Sequence, residues 1–188
     1  MASILNVDQI NNAAGTSAIT IDASGNVTAP NLVMPAGSVV QVVQATPGTN
    51  GYTAVQSYVN VTSTSFTDVS TGGHYVEITP TSASSKILVM ASFPSYNNTA
   101  YTLHKMMRET GGSTYDFPNI GTAQYDMMSL NGPAWHPVSF NWIDTPNTTS
   151  LVKYKMYMKV TSGSGQIGWA TTNTNDNVSS YIAVEIAQ

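Results

Sequence analysis

Lys153-Tyr154-Lys155-Met156-Tyr157-Met158-Lys159-Val160 decides the fold class. Tyr154, Met156, Met158 and Val160 alternate with Lys153, Lys155, Tyr157 and Lys159, so a period of two places an apolar set on one face of a strand and a basic set on the other. The same period recurs outward from this stretch. At the C-terminus Ile182, Val184 and Ile186 alternate with Tyr181, Ala183 and Glu185, predicting a final strand that runs almost to Gln188. Val39 to Val43, Val55 to Val61, Tyr75 to Thr79, Ile87 to Phe93, Tyr101 to Met107, Val138 to Trp142 and Gln166 to Ala170 supply further short strand candidates. Gly72-Gly73, Gly111-Gly112, Asn131-Gly132-Pro133 and Gly163-Ser164-Gly165 punctuate them as turns. The one helix-like run, Leu103 to Glu109, spans barely two helical turns between Asn97-Asn98 and Gly111-Gly112, and reads better as another strand. Many short strands without an amphipathic helix predict an all-β fold, a β-sandwich of jelly-roll kind.

Residues 1–36 differ from the rest. They lack aromatics and end in Pro30 and Pro35 before Ala36-Gly37, which predicts a boundary there: an arm over 1–36 and a sandwich over 37–188. Within the arm, Ile19, Ile21 and Ala23 alternate with Thr20 and Asp22. Ser24-Gly25-Asn26 then makes a turn, and Val27 begins a second extended piece. Upstream, Ile4, Val7 and Ile10 recur every third residue, compatible with a short helix or with three-fold packing of identical chains. So short a segment cannot offset the entropy of its own ordering, so it is expected to order against copies of itself or a docking partner. Ile4, Val7, Ile10, Ile19, Ile21 and Val27 are its candidate trimerisation and attachment residues.

Composition narrows the function. Of 188 residues, 41% are hydrophobic, enough for a core, but only 9% are charged, against roughly 25% in an average soluble domain. Ten acids and six bases give a net charge of −4, and no base precedes Lys86. Nucleic-acid binding draws on Lys and Arg neutralising phosphates, so nucleic acid is not an expected partner. The absence of cysteine removes disulfides and thiolate chemistry. The N-terminus has no basic region followed by an apolar run, so it is not read as a secretory signal. No stretch approaches the roughly 20 apolar residues that a membrane-spanning helix needs, so membrane insertion is not expected.

Three groups of residues carry a family resemblance. The first is Ile4-Leu5-Asn6-Val7-Asp8-Gln9-Ile10, with Gly15 to Asp22 and Gly25-Asn26-Val27-Thr28; the second is Pro35 to Gln44; the third is Ile78 to Val89, with Val184-Glu185-Ile186. In order and spacing these resemble structural proteins of tailed phages, especially marine ones, in which a short N-terminal β arm precedes a jelly-roll domain. The resemblance implies a virion component made in the host cytoplasm. It further implies a homotrimeric fibre or spike, with the arm joined to other virion proteins and the knob displayed toward a host-surface glycan or protein. A head fibre or capsid decoration protein is the alternative, and a polysaccharide-degrading spike the third reading. The segment from Tyr96 to Trp142, rich in Tyr, Met and Trp, has no counterpart in that pattern.

Candidate chemistry is sparse. His74, His104 and His136 show no metal-ligand spacing, so no metal or other cofactor is expected. Ser162-Gly163-Ser164-Gly165 lacks the strand-elbow-helix setting of a serine hydrolase and reads as a turn. Scattered acids leave a carboxylate pair open for glycan hydrolysis, but no coil-length repeat supplies a groove. Asn173 to Asn177 is oxygen-rich yet lacks the Gly and final Glu of a calcium loop. No catalytic residue is assigned, and the chain is read as non-enzymatic. Trp142, Trp169, Tyr96, Tyr101, Tyr115 and Tyr125 are read as core or trimer interface. Trp135, flanked by Pro133, His136 and Pro137, is the exception, and Trp135 with His136 forms the candidate surface-binding pair. Lys153, Lys155 and Lys159 are read as a solvated face that also protects a sheet edge.

Overall fold

The computed structural model describes residues 9–11, 15, 17–29, 34–45, 58–98, 101–117, 127–128, 133–168 and 179–188. The chain forms two compact units, Met1–Pro35 and Ala36–Gln188.

In the first unit, β1 (Gln9–Asn11), β2 (Ser17–Ile21) and β3 (Val27–Thr28) form an antiparallel sheet with β2 in the centre. The β2–β3 turn is closed by the Asp22 side chain. Its carboxylate accepts from the backbone N–H groups of Ser24 (2.8 Å) and Asn26 (2.9 Å) and from the Asn26 amide (2.8 Å), while Gly25 supplies the positive φ. These hydrogen bonds hold the Asp22 carboxyl below the ordinary carboxylate range, the Asn26 side chain contributing most.

The second unit contains β4 (Val39–Gln44), β5 (Val59–Val61), β6 (Thr67–Asp68), β7 (Tyr75–Ile78), β8 (Lys86–Asn97), β9 (Thr102–Thr110), β10 (Ser113–Phe117), β11 (Met127–Met128), β12 (Ala134–Asp144), β13 (Val152–Val160), β14 (Gly165–Ile167) and β15 (Ser180–Ile186). A single 3-10 turn at Ser70–Gly72 is the one helical element among the described residues. Sheet I holds β10, β9 and β13 in order, with β6 and β7 both pairing along the far side of β13 and β11 pairing β9. Sheet II holds β4, β15, β8 and β12. β14 continues the β15 side of β8, and β5 pairs β14. Setting aside the short β5, β6, β11 and β14, sheet II runs first, eighth, third and sixth principal strand, and sheet I second, seventh, fourth and fifth. That order is the jelly roll, two Greek keys folded across two sheets.

The sheets close on an interior to which β13 gives Val152, Tyr154, Met156, Met158 and Val160, all at most 1% exposed. β8 adds Ile87, Val89, Ala91 and Phe93, and β15 adds Tyr181 and Ala183. Phe93 stacks on Tyr181, ring centroids 6.1 Å apart and planes within 7°. Each such burial is worth about 1.5–3 kcal/mol before the entropy of ordering is subtracted.

The Leu103–Glu109 run lies inside β9, a strand as its turn-bounded shortness predicted. The basic stretch departs from expectation in one respect. β13 is central, paired with β9 on one side and with β6 and β7 on the other, so its lysines protect no edge. Lys153 and Lys155 hold neighbouring acids instead. The Val138–Trp142 candidate extends to Ala134–Asp144 and pairs β8 over the length of both strands.

Candidate functional site

The two sheets turn very different outer faces to their surroundings. On sheet I, Lys153 pairs with Glu77, and Lys155 reaches Glu109 (2.5 Å) and Asp68 (3.4 Å). The Glu109 hydrogen bond does most to raise the Lys155 pKa, and with the Asp68 and Glu109 charges it outweighs the opposing effect of burial. Lys105 and Lys159 lie 4.7 and 4.4 Å from the Phe66 ring centre, and Lys153 lies 4.8 Å from that of Tyr75. This face is ionic, with Lys153 and Lys155 paired to acids of the same sheet and Lys105 and Lys159 set against an aromatic ring.

The outer face of sheet II follows from strand register, because partners in an antiparallel pair share a face. One cross-strand row is Val42, Val184, Leu88 and Ile143. The next is Gln44, Ile182, Met90 and Asn141, then Ser180, Ser92 and Ser139. Farther along come Pro94 opposite Pro137, and then Asn60, Gln166, Tyr96 and Trp135. Val42 is 62% exposed and Ile143 51%. Beside the serine row lies a shallow depression of about 190 Å³, lined by Met90, Ser92, Ser139, Asn141, Ser180 and Ile182 together with Ala91. Lys86, at the start of β8, is the one charged side chain among the described residues of this face.

The interior polar groups are committed to structure. Glu185 is fully buried. Its carboxylate accepts from Gln41 Nε2 (2.6 Å), Thr81 N (2.8 Å), Thr81 Oγ1 (2.7 Å) and Ser85 Oγ (2.7 Å). Burial pushes its pKa up, but these hydrogen bonds outweigh burial and hold the carboxyl below its ordinary value. Asp144 accepts from Arg108 Nη1 through both oxygens (2.9 and 3.0 Å) and from the Tyr154 hydroxyl (2.8 Å), joining β12 of sheet II to β9 and β13 of sheet I. Burial, and then the Asp144 charge, raises the Tyr154 pKa. Asp144 and Glu185 flank Ile87 in one inward-facing row, so their backbones stand about 10 Å apart. Neither is open to a substrate. His74 Nδ1 meets the Tyr181 hydroxyl at 3.0 Å and His104 Nε2 meets Ser95 Oγ at 3.1 Å, both deep in the interior. No group of three or more His, Asp or Glu among the described residues could hold a metal ion, and no helix there is long and apolar enough to cross a membrane.

Of the candidate arm residues, Ile10 pairs opposite Ile19 and Ile21 opposite Val27, which brings all four to one face of the small sheet. Ile10 is 46% and Val27 65% exposed. Ile4 and Val7 lie outside the described residues, as do Tyr125, Trp169 and the 173–177 loop. Trp135 and His136 do not form one patch. Adjacent strand positions point to opposite faces, so Trp135 lies on the outer face against Tyr96, centroids 5.2 Å apart, while His136 takes the inner face. The outer rows of sheet II went unnoticed in the sequence, although the unbroken apolar run Ile87-Leu88-Val89-Met90-Ala91 is the mark of a strand covered on both faces.

No family model matches the chain, and no curated protein matches it either. Among solved structures, a chain of the crystal structure of the T13 IBDV viral particle is similar to 90% of this chain at 12% identity, with a TM-score of 0.42. The match covers 35% of that protein, so this chain spans about a third of its length. The jelly-roll assignment rests on strand order and not on this likeness.

Proposed function

We propose that the chain is a non-enzymatic structural protein of a virus particle, a jelly-roll subunit that sits on the shell as a head fibre or capsid decoration protein. The observation that carries this reading is the contrast between the outer faces: one ionic and cross-paired, the other nearly free of charge, with Val42 and Ile143 exposed on it. Such a surface suits fixed contact with protein and not turnover of a substrate. The phage-like arm and knob motifs supply the virion setting.

A homotrimeric tail fibre or spike is the second reading. It is favoured by the apolar face of the arm, where Ile10, Ile19, Ile21 and Val27 await a partner. In a trimer repeated over a particle, weak single contacts multiply into firm adhesion without catalysis. Gold-labelled antibody against the chain, applied to intact particles, separates the readings. Label over the head supports the decoration role and label at the tail supports the fibre. Particles without label would sink both. Release of reducing ends from host polysaccharide would overturn the non-enzymatic assignment.

A further inference from the structure

We infer that the outer face of sheet II is buried against a second copy of this chain, with the row Val42, Val184, Leu88 and Ile143 supplying its aliphatic contact. The inference deepens the proposed function, since it rests on the chain being an assembly subunit and names the surface and the partner.

The sequence of sheet II speaks for a covered face. β13 in sheet I alternates apolar with basic residues, as a strand with one wet side does. In β8, by contrast, Ile87, Val89 and Ala91 point inward while Leu88 and Met90 point outward. In β15, Ile182 and Val184 point outward behind Ala183, and in β4, Val42 points outward beside Val43. Three adjacent strands therefore carry aliphatic side chains on both sides, and Ile143 of β12 extends the row to a fourth.

Charge and size choose the partner. A face on which charge is nearly absent neither draws a charged partner nor repels its own copy. This face meets that condition, with Lys86 alone and at one end. An oppositely charged partner would find nothing on it to pair. β4, β15, β8 and β12 run 6, 7, 12 and 11 residues, and β14 and β5 add 3 each, so at about 3.4 Å per residue and 4.8 Å per strand the face covers on the order of 700 Å². A stable interface buries about 800 Å² on each partner. The relief also fits: the aliphatic row stands beside the depression at Ser92, Ser139 and Ser180, so ridge and hollow lie on one surface.

The test is the full-length chain carrying Val42→Glu and Ile143→Asp, followed by light scattering over a concentration series beside the wild type. Both positions are exposed within the subunit, so the fold is expected to survive, and unchanged near-ultraviolet circular dichroism checks that it does. The matched control is Val42→Gln with Ile143→Asn, which adds polarity without like-charge repulsion. The expected result is that the charged pair shifts half-assembly to at least tenfold higher concentration and the neutral pair shifts it less. An unchanged assembly curve for the charged pair would overturn the face. A wild type that is monomeric throughout would overturn self-contact altogether. Neither result touches virion placement, which the labelling of particles tests separately.

Discussion

Glu185→Gln is expected to destabilise the knob at neutral pH by about 2 kcal/mol, and the loss is expected to fade in acid. The native carboxylate is fully buried and accepts four hydrogen bonds, three on Oε1 and one on Oε2, from neutral donors. Glutamine keeps the shape but turns one oxygen into a donor. If its nitrogen faces Gln41, two donors oppose each other. Gln41 cannot simply flip its amide, because its Nε2 also donates to the Thr79 carbonyl at 2.8 Å. If the nitrogen faces Thr81 and Ser85 instead, three donors lose their acceptor. The milder arrangement forfeits one hydrogen bond to a charged group, about 1.5–3 kcal/mol. Ser85 is 1% exposed and cannot recover water, so Glu185→Ala is expected to cost more, about 3–5 kcal/mol. The pH dependence follows from the lowered native pKa. A carboxyl that holds its proton less tightly when folded contributes stability above its unfolded value, near 4.5, and that stability is lost as pH falls through the folded value. Urea unfolding of wild type and variant at one protein concentration, followed by tryptophan fluorescence at pH 7 and pH 3, measures the gap. A gap below about 0.5 kcal/mol at pH 7, or one that does not narrow at pH 3, would refute the reasoning.

Three further outcomes are expected. Gly168→Ala should cost more than about 1 kcal/mol in the same urea assay, because Gly168 has φ +77° and a Cβ there would stand 3.2 Å from the His74 ring and 3.3 Å from the Tyr58 backbone; a neutral result would mean the loop relaxes freely. Asp144→Ala should cost about 3 kcal/mol and speed amide exchange in β12, since it removes the ion pair with Arg108 and the Tyr154 hydrogen bond that tie that strand to sheet I; unchanged exchange would show that β8 pairing alone holds it. Ile19→Asp with Ile21→Asp should abolish incorporation of the chain into particles while leaving the knob's unfolding curve in place, and full incorporation would remove the arm from the attachment account.

The fold class was legible because Tyr154, Met156, Met158 and Val160 alternate strictly with polar neighbours, and period two has one structural meaning. Which side of a strand faces inward was not always so. In β15 the more apolar set, Ile182, Val184 and Ile186, faces outward, while Tyr181, Ala183 and Glu185 face the core. Hydrophobicity would choose the opposite orientation; it is overruled by the four donors that converge on Glu185 and by the stacking of Tyr181 on Phe93. The lysines of β13 revealed a wet face but not a central position, because charge marks exposure and not strand order. The row from Val42 to Ile143 depends on register among residues about 140 apart in sequence, which no local pattern encodes. Trp135 and His136 are neighbours in the chain, and for that reason a strand sends them to opposite faces, a separation that composition alone does not reveal.

The most direct test of the account is the mass of the purified wild-type chain in solution, measured by light scattering across a concentration series. An assembly subunit predicts a mass of two or more chains, three in the fibre form, that persists on dilution into the micromolar range. A single-chain mass at every concentration would contradict self-association as the basis of its function.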